Sequence, residues 1–221
     1  MTFTATKFAT AAFAASMAVA TASDAATYSN TTPIAIPETG TSGPASPFPS
    51  TIDVSGEGTI QNLTVDLIGL SHTFPDDIFV GLVAPSGTSV VLMSDAGGST
   101  NVFSIDVTFD DDAAGPMPNG GPLTTGSYQV SQYGDVEVLP APAPTFSFGT
   151  TLAAFDGENA DGIWSLFVFD DFMADSGSIS GGWALNINVA PPSAAVPLPA
   201  SLPLLLAGVG ALGWMRRRKR A

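Results

Sequence analysis

The chain of 221 residues has no cysteine, one histidine and six basic residues. Without cysteine there is no disulfide framework and no thiolate metal site. A single histidine excludes a zinc centre built on several imidazoles. The basic residues are Lys7, Arg216, Arg217, Arg218, Lys219 and Arg220, so none lies between Phe8 and Met215, where all 20 acidic residues fall. This middle stretch has no Lys or Arg to pair with a carboxylate. It cannot neutralise phosphates, which excludes nucleic acid as a partner. Repulsion among its carboxylates must be met by water, backbone N–H groups, salt or bound divalent cations. Helical periodicity is also missing between Thr27 and Pro191. With 18 Pro, 23 Gly and only short periodic runs, the composition points to an all-β sandwich.

The clearest strands lie between Asp161 and Val189. In Gly162–Asp170 the residues Trp164, Leu166 and Val168 alternate with Ile163, Ser165, Phe167 and Phe169. Bulky groups on both faces predict a central strand covered on both sides. In Gly182–Val189 one face carries Trp183, Leu185, Ile187 and Val189, and the other carries small or polar residues. That is a strand with one wet face. The two are expected to form an antiparallel unit joined by the polar loop Phe172–Gly181, with Trp164 and Trp183 anchoring one core.

Upstream, Thr51–Val54, Thr59–Ile68, Ile78–Ala84, Thr88–Met93 and Val102–Phe109 read as strands. Pro85-Ser86-Gly87 closes the third and fourth into a hairpin, Pro fixing φ and Gly supplying a positive one. Residues 110–144 form an irregular excursion, expected to cap one face of the sandwich over Phe167 and Phe169. Residues 23–50 read as a leader lying on the domain at 51–189, and 190–195 as a linker.

The two ends carry an address. Met1–Ala22 has Lys7, an apolar centre and the exit Ala20-Thr21-Ala22, the layout of a secretory signal peptide cleaved after Ala22, with Ala25 and Ala26 as alternatives. Residues 196–221 begin with Val196-Pro197-Leu198-Pro199-Ala200, continue as an apolar run to Met215 and end in Arg216, Arg217, Arg218, Lys219 and Arg220. The run Leu202–Met215 has 14 residues, and counting back to Val196 gives 20, about what a spanning helix needs, with Pro197, Pro199 and Pro203 interrupting its start. The basic terminus stays cytoplasmic by the positive-inside rule, which places the domain outside the inner membrane.

Three blocks resemble the P domain of proprotein convertases, also called P/Homo B: DDIFVGLVAPSGTSVVLM (Asp76–Met93), FDGENADGIWSLFVFDD (Phe155–Asp171) and DSGSISGGWALNI (Asp175–Ile187). The resemblance implies a jelly-roll-like antiparallel β-sandwich. It also implies an accessory role beside a subtilisin-like protease, although only a signal peptide and a short leader precede the domain here. The C-terminal segment resembles the VPLPA-type relatives of PEP-CTERM sorting signals. That implies an exosortase-like processing enzyme as partner, transient anchoring in the inner membrane, and delivery to the cell surface or matrix.

No catalytic set stands out. His72 is the one residue on which a Ser-His-Asp triad could rest. It falls in SHTFPDD, read as a loop, and is expected at the surface. Paired carboxylates could serve glycoside hydrolysis, but so many acids make any one pair uninformative. Ca²⁺ is the one cofactor considered, since it takes six to eight oxygens from carboxylates, carbonyls and water. Three acidic clusters qualify: Asp110–Asp112, Asp156/Glu158/Asp161, and Asp170/Asp171/Asp175. The last is preferred because adjoining strands would hold it. The expectation is a secreted, non-catalytic, structural or adhesive β-sandwich. The alternatives are a module for matrix polysaccharide, contacted through exposed aromatics such as Tyr128 or Tyr133, and an accessory domain for a secreted protease.

Overall fold

The computed structural model describes residues 25–189, except 39 and 136. The expected signal peptide, linker and sorting segment lie outside the described residues. Among the described residues no helix is long and apolar enough to cross a membrane.

The chain is all-β. Its strands are β1 (Ala26–Asn30), β2 (Ile34–Ile36), β3 (Gly43–Pro44), β4 (Ser50–Val54), β5 (Ile60–His72), β6 (Ile78–Val83), β7 (Ser89–Ser94), β8 (Val102–Phe109), β9 (Gly126–Tyr128), β10 (Ser131–Gln132), β11 (Gly162–Asp170), β12 (Gly177–Ile179) and β13 (Trp183–Val189). Single 3-10 turns occur at Pro75–Asp77 and Leu152–Phe155. One sheet runs β1-β13-β5-β12-β2, with β8 on the other side of β5 and β9 beyond it. The second runs β10-β7-β6-β11-β3, with β4 also on β11. Two short pairings, β7 with β10 and β8 with β9, are parallel, and the other pairings are antiparallel.

The sheets face each other across a core to which Leu63, Val65, Leu67, Leu185 and Ile187 contribute from one side. Val80, Leu82, Trp164, Leu166 and Val168 contribute from the other. The two tryptophan strands do not pair, contrary to the antiparallel unit expected. β11 lies between β6 and β4, whereas β13 lies between β1 and β5. The connection between them crosses from sheet to sheet and forms β12 on the way. Both indoles are fully buried. Trp164 Nε1 donates to the Ala160 carbonyl at 2.9 Å, and Phe155 meets its ring edge-on at 5.1 Å. Trp183 Nε1 donates to Ser50 Oγ at 2.9 Å, joining β13 of one sheet to β4 of the other. Each buried N–H thus has an acceptor, as a low-polarity interior requires.

Residues 23–50, read as a leader, instead supply β1, β2 and β3. They are too short to show an apolar repeat in the sequence, and partners make them strands: β1 pairs with β13, and β2 with β12. The 110–144 excursion places β9 beside β8 and β10 beside β7, so it extends both sheets. Just beyond β10, Leu139, Ala143, Phe146 and Phe148 cover Phe79, Val91, Phe167 and Phe169 on the outer face of the second sheet. Phe146 meets Phe79 and Phe167 edge-on at 5.2 and 6.1 Å. A second, smaller core results, which is why β11 is apolar on both faces.

β5 decides where the candidate site lies. Leu63, Val65 and Leu67 point inward, and the register then shifts between Leu67 and Leu70. Gly69, at φ +72°, occupies this irregularity. The extra residue turns Leu70 and His72 inward, so the loop expected at Ser71–His72 is the buried end of the longest strand.

Candidate functional site

On β11 the inward alternation Trp164, Leu166, Val168 continues one step further, to Asp170. That residue is therefore fully buried. Its Oδ1 accepts the Phe172 N–H at 3.0 Å. Its Oδ2 lies 3.5 Å from Nε2 of His72, and neither atom has a hydrogen-bond partner. His72 is 2% exposed, so the expected surface histidine is a core residue. The bulge at Gly69 accounts for this. Nδ1 of His72 lies 2.8 Å from the Phe74 carbonyl oxygen. β12 lies over the ring at Gly177, where a Cβ would collide with the Ser71 carbonyl and the imidazole.

Asp170 stands opposite Ile78 at the start of β6, and the Asp171 N–H donates to the Asp77 carbonyl at 3.0 Å. These contacts bring the Asp77 side chain to those of Asp170 and Asp171. One oxygen from each lies within 4.8 Å of the other two. Asp77 Oδ2 is a further buried oxygen without a partner. Asp171 is exposed as a residue, with its carboxyl turned into the cluster.

Around this centre stand more acids. Asp175 lies close enough for its charge to act on Asp77, and it accepts from Thr73 Oγ1 at 2.8 Å. Glu137 lies close enough for its charge to raise Asp171. Asp76 accepts the Gly98 N–H at 3.3 Å, and Asp95 accepts from Ser94 Oγ at 2.8 Å.

Crowding raises their proton affinity. Burial first, then the charges of Asp171, Asp175 and Asp170, pushes Asp77 up to about 7. Burial and the neighbouring Glu137, Asp95 and Asp170 push Asp171 up to about 6. Asp170 is raised by burial, against the lowering effects of the Phe172 N–H and His72. Asp95 and Glu137 are raised too, chiefly by burial. The cluster does not hold all its negative charge comfortably.

Of the acids expected together, the structure brings Asp170 and Asp171 into one cluster. It sets Asp175 beside them, where Thr73 engages it. Sequence reasoning missed Asp77, which comes from the turn before β6 and reaches the cluster only through strand pairing. The Asp110–Asp112 cluster lies elsewhere, lining a cavity of about 200 Å³ with Asn62, Leu152, Ala153 and Asp156. There Asp111 accepts the N–H groups of Leu152 and Ala153 at 3.2 and 2.8 Å, and Asp110 accepts that of Asp112 at 2.9 Å. Glu158 accepts from Ser86 and Thr88, and Asp161 accepts the Glu57 N–H. Tyr128 and Tyr133, expected as exposed aromatics, are partly buried against the core. Their hydroxyls donate to the carbonyls of Thr124 and Met117.

Residues 195–220 match the PEP-CTERM protein-sorting motif. The motif marks proteins that leave by the general secretory route, are held transiently in the membrane, and are then exposed at the surface. The chain is thus a secreted surface protein processed by an exosortase. No curated protein matches it. Two solved structures resemble it weakly: a serine protease of Aeromonas sobria, and that protease in complex with a chaperone. In both, identity is 16%, the TM-score is 0.36, and the alignment covers 71% of this chain and 25% of the other. The chain thus spans about a quarter of the length of the solved chains it resembles.

Proposed function

We propose that the chain is a non-catalytic module with a structural or adhesive role at the cell surface or in the extracellular matrix. The sorting segment at 195–220 carries the reading, because it sends a self-contained sandwich to that place. The burial of His72 supports the absence of catalysis. The only histidine of the chain is enclosed by β12, Phe74 and Asp170, and no substrate could use it as a base.

The likeness of the sandwich to convertase P domains rests on its three sequence blocks. These blocks supply the β6–β7 hairpin, β11, and β12 with β13. An accessory role beside a separate secreted protease follows only from that likeness.

The test compares a strain lacking the chain with one in which it is restored. The expected outcome is weaker attachment or matrix cohesion in its absence, with secreted peptidase and glycosidase activity unchanged. Turnover of a peptide or glycan by the purified exported chain overturns the reading. Longer survival of a secreted subtilisin-like protease when the chain is added moves the role to protease support.

A further inference from the structure

We propose that Asp77, Asp170 and Asp171 form a Ca²⁺ site at the end of the second sheet, where β6 begins and β11 ends. The proposal is independent of the matrix role. It starts from Asp170, which follows Trp164, Leu166 and Val168 on the inner face and is fully buried. One of its oxygens accepts a backbone N–H, and the other has no hydrogen-bond partner among the described residues and only His72 Nε2 near it, at 3.5 Å. An unmatched carboxylate oxygen at this depth is costly. Asp77 adds a second buried oxygen without a donor, and Asp171 completes a triangle of oxygens within 4.8 Å.

The sheet itself holds these groups together. The pairing of Asp170 with Ile78 and the bond from Asp171 N–H to the Asp77 carbonyl set the backbone spacing, so the three side chains leave the chain at neighbouring points. No Lys or Arg lies between Phe8 and Met215 to supply positive charge. His72 faces only Asp170 and lies outside the triangle.

A bound cation would satisfy all three carboxylates at once. The triangle contains only oxygen donors, which selects a hard cation over zinc or copper. Ca²⁺ bonds oxygen at about 2.3–2.6 Å and so accommodates oxygens up to about 5 Å apart, with flexible geometry. Mg²⁺ requires a near-ideal octahedron at about 2.0–2.1 Å and gives up its water reluctantly, so a cluster of protein carboxylates favours Ca²⁺. Water and the adjacent Asp175 can complete the shell.

The test uses the exported chain with its C-terminal segment retained, in detergent, stripped with EDTA and titrated calorimetrically with CaCl₂ and MgCl₂. Expected is one Ca²⁺ per chain with a dissociation constant of about 10⁻³ M or tighter, the range of extracellular modules or better. Binding of Mg²⁺ is weaker by about tenfold or more. Asp170→Asn weakens Ca²⁺ binding by about tenfold or more, and so does Asp171→Asn, an exposed position on which the fold does not depend. Asp112→Asn, in the other acidic pocket, leaves it unchanged. Three results overturn the proposal: no saturable Ca²⁺ binding by about 10 mM, equal affinity for Mg²⁺, or unaltered Ca²⁺ binding in Asp171→Asn.

Discussion

The two acidic pockets have nearly the same composition and opposite surroundings. At Asp110–Asp112 the carboxylates face backbone N–H groups, and Asp111 alone accepts two from the Leu152–Phe155 turn. At Asp77, Asp170 and Asp171 the N–H groups run out, and among the described residues two buried oxygens have no hydrogen-bond partner. Neither pocket has a Lys or Arg within its domain. Acid count therefore does not mark a site in this molecule. Unspent acceptor capacity, measured against the donors in reach, separates a pocket that caps loops from one that calls for a cation.

Four perturbations sharpen that contrast. The largest is removal of calcium. At about 100 times its dissociation constant, Ca²⁺ adds about 2.7 kcal/mol to the stability of the native state, several degrees in Tm. A thermal scan should show this gap between Ca²⁺ and EDTA, and Asp170→Asn should erase it. Next is Gly177→Ala, whose Cβ collides with His72 and the Ser71 carbonyl. Overpacking of this kind costs about 1–3 kcal/mol. Because His72 is displaced against Asp170, calcium affinity should fall as well, which combined unfolding and calorimetry will show. Asp111→Ala should cost about 1–2 kcal/mol, the loss of two N–H acceptors at a helical turn. Its urea midpoint should drop equally in Ca²⁺ and in EDTA. A calcium-dependent drop would mean that the two pockets are not separate in kind.

The fourth perturbation is pH. Asp77 and Asp171 hold protons in the folded state up to about 7 and about 6, from ordinary values of 3.8. Between about pH 4 and 7 the folded chain then binds more protons than the unfolded chain, so this contribution to stability falls as pH rises. In EDTA, Tm should be higher at pH 5 than at pH 8, and Ca²⁺ should flatten the difference. A Tm that rises from pH 5 to pH 8 in EDTA contradicts the crowding at this cluster.

Much of the sandwich was legible where apolar alternation is strong, as in β6, β7, β11 and β13. The polar strand β1 was not, because ATYSN has no period of its own and takes its conformation from β13. The pairing of the tryptophan strands was misread because a ten-residue polar connection suits a hairpin as well as a crossing between sheets. For the candidate site, one clue was present and overlooked. The alternation Trp164, Leu166, Val168 predicts that the next inward residue is Asp170. His72 was hidden by the bulge at Gly69, since one extra residue reverses the facing of everything after it. Asp77 was out of reach altogether, because its neighbours come from strand register and not from adjacency in the chain.

The pairing of β1 with β13 sets the order in which the molecule can be finished. Ala26 lies opposite Ile187, so the edge of the first sheet joins the first strand of the domain to its last. An exported chain emerges from its N-terminal end, and β1 must wait for its partner until nearly the whole domain has crossed. Contacts so distant in sequence make closure slow. Slow closure favours export ahead of folding, and β13 crosses the membrane only just before the sorting segment that follows it.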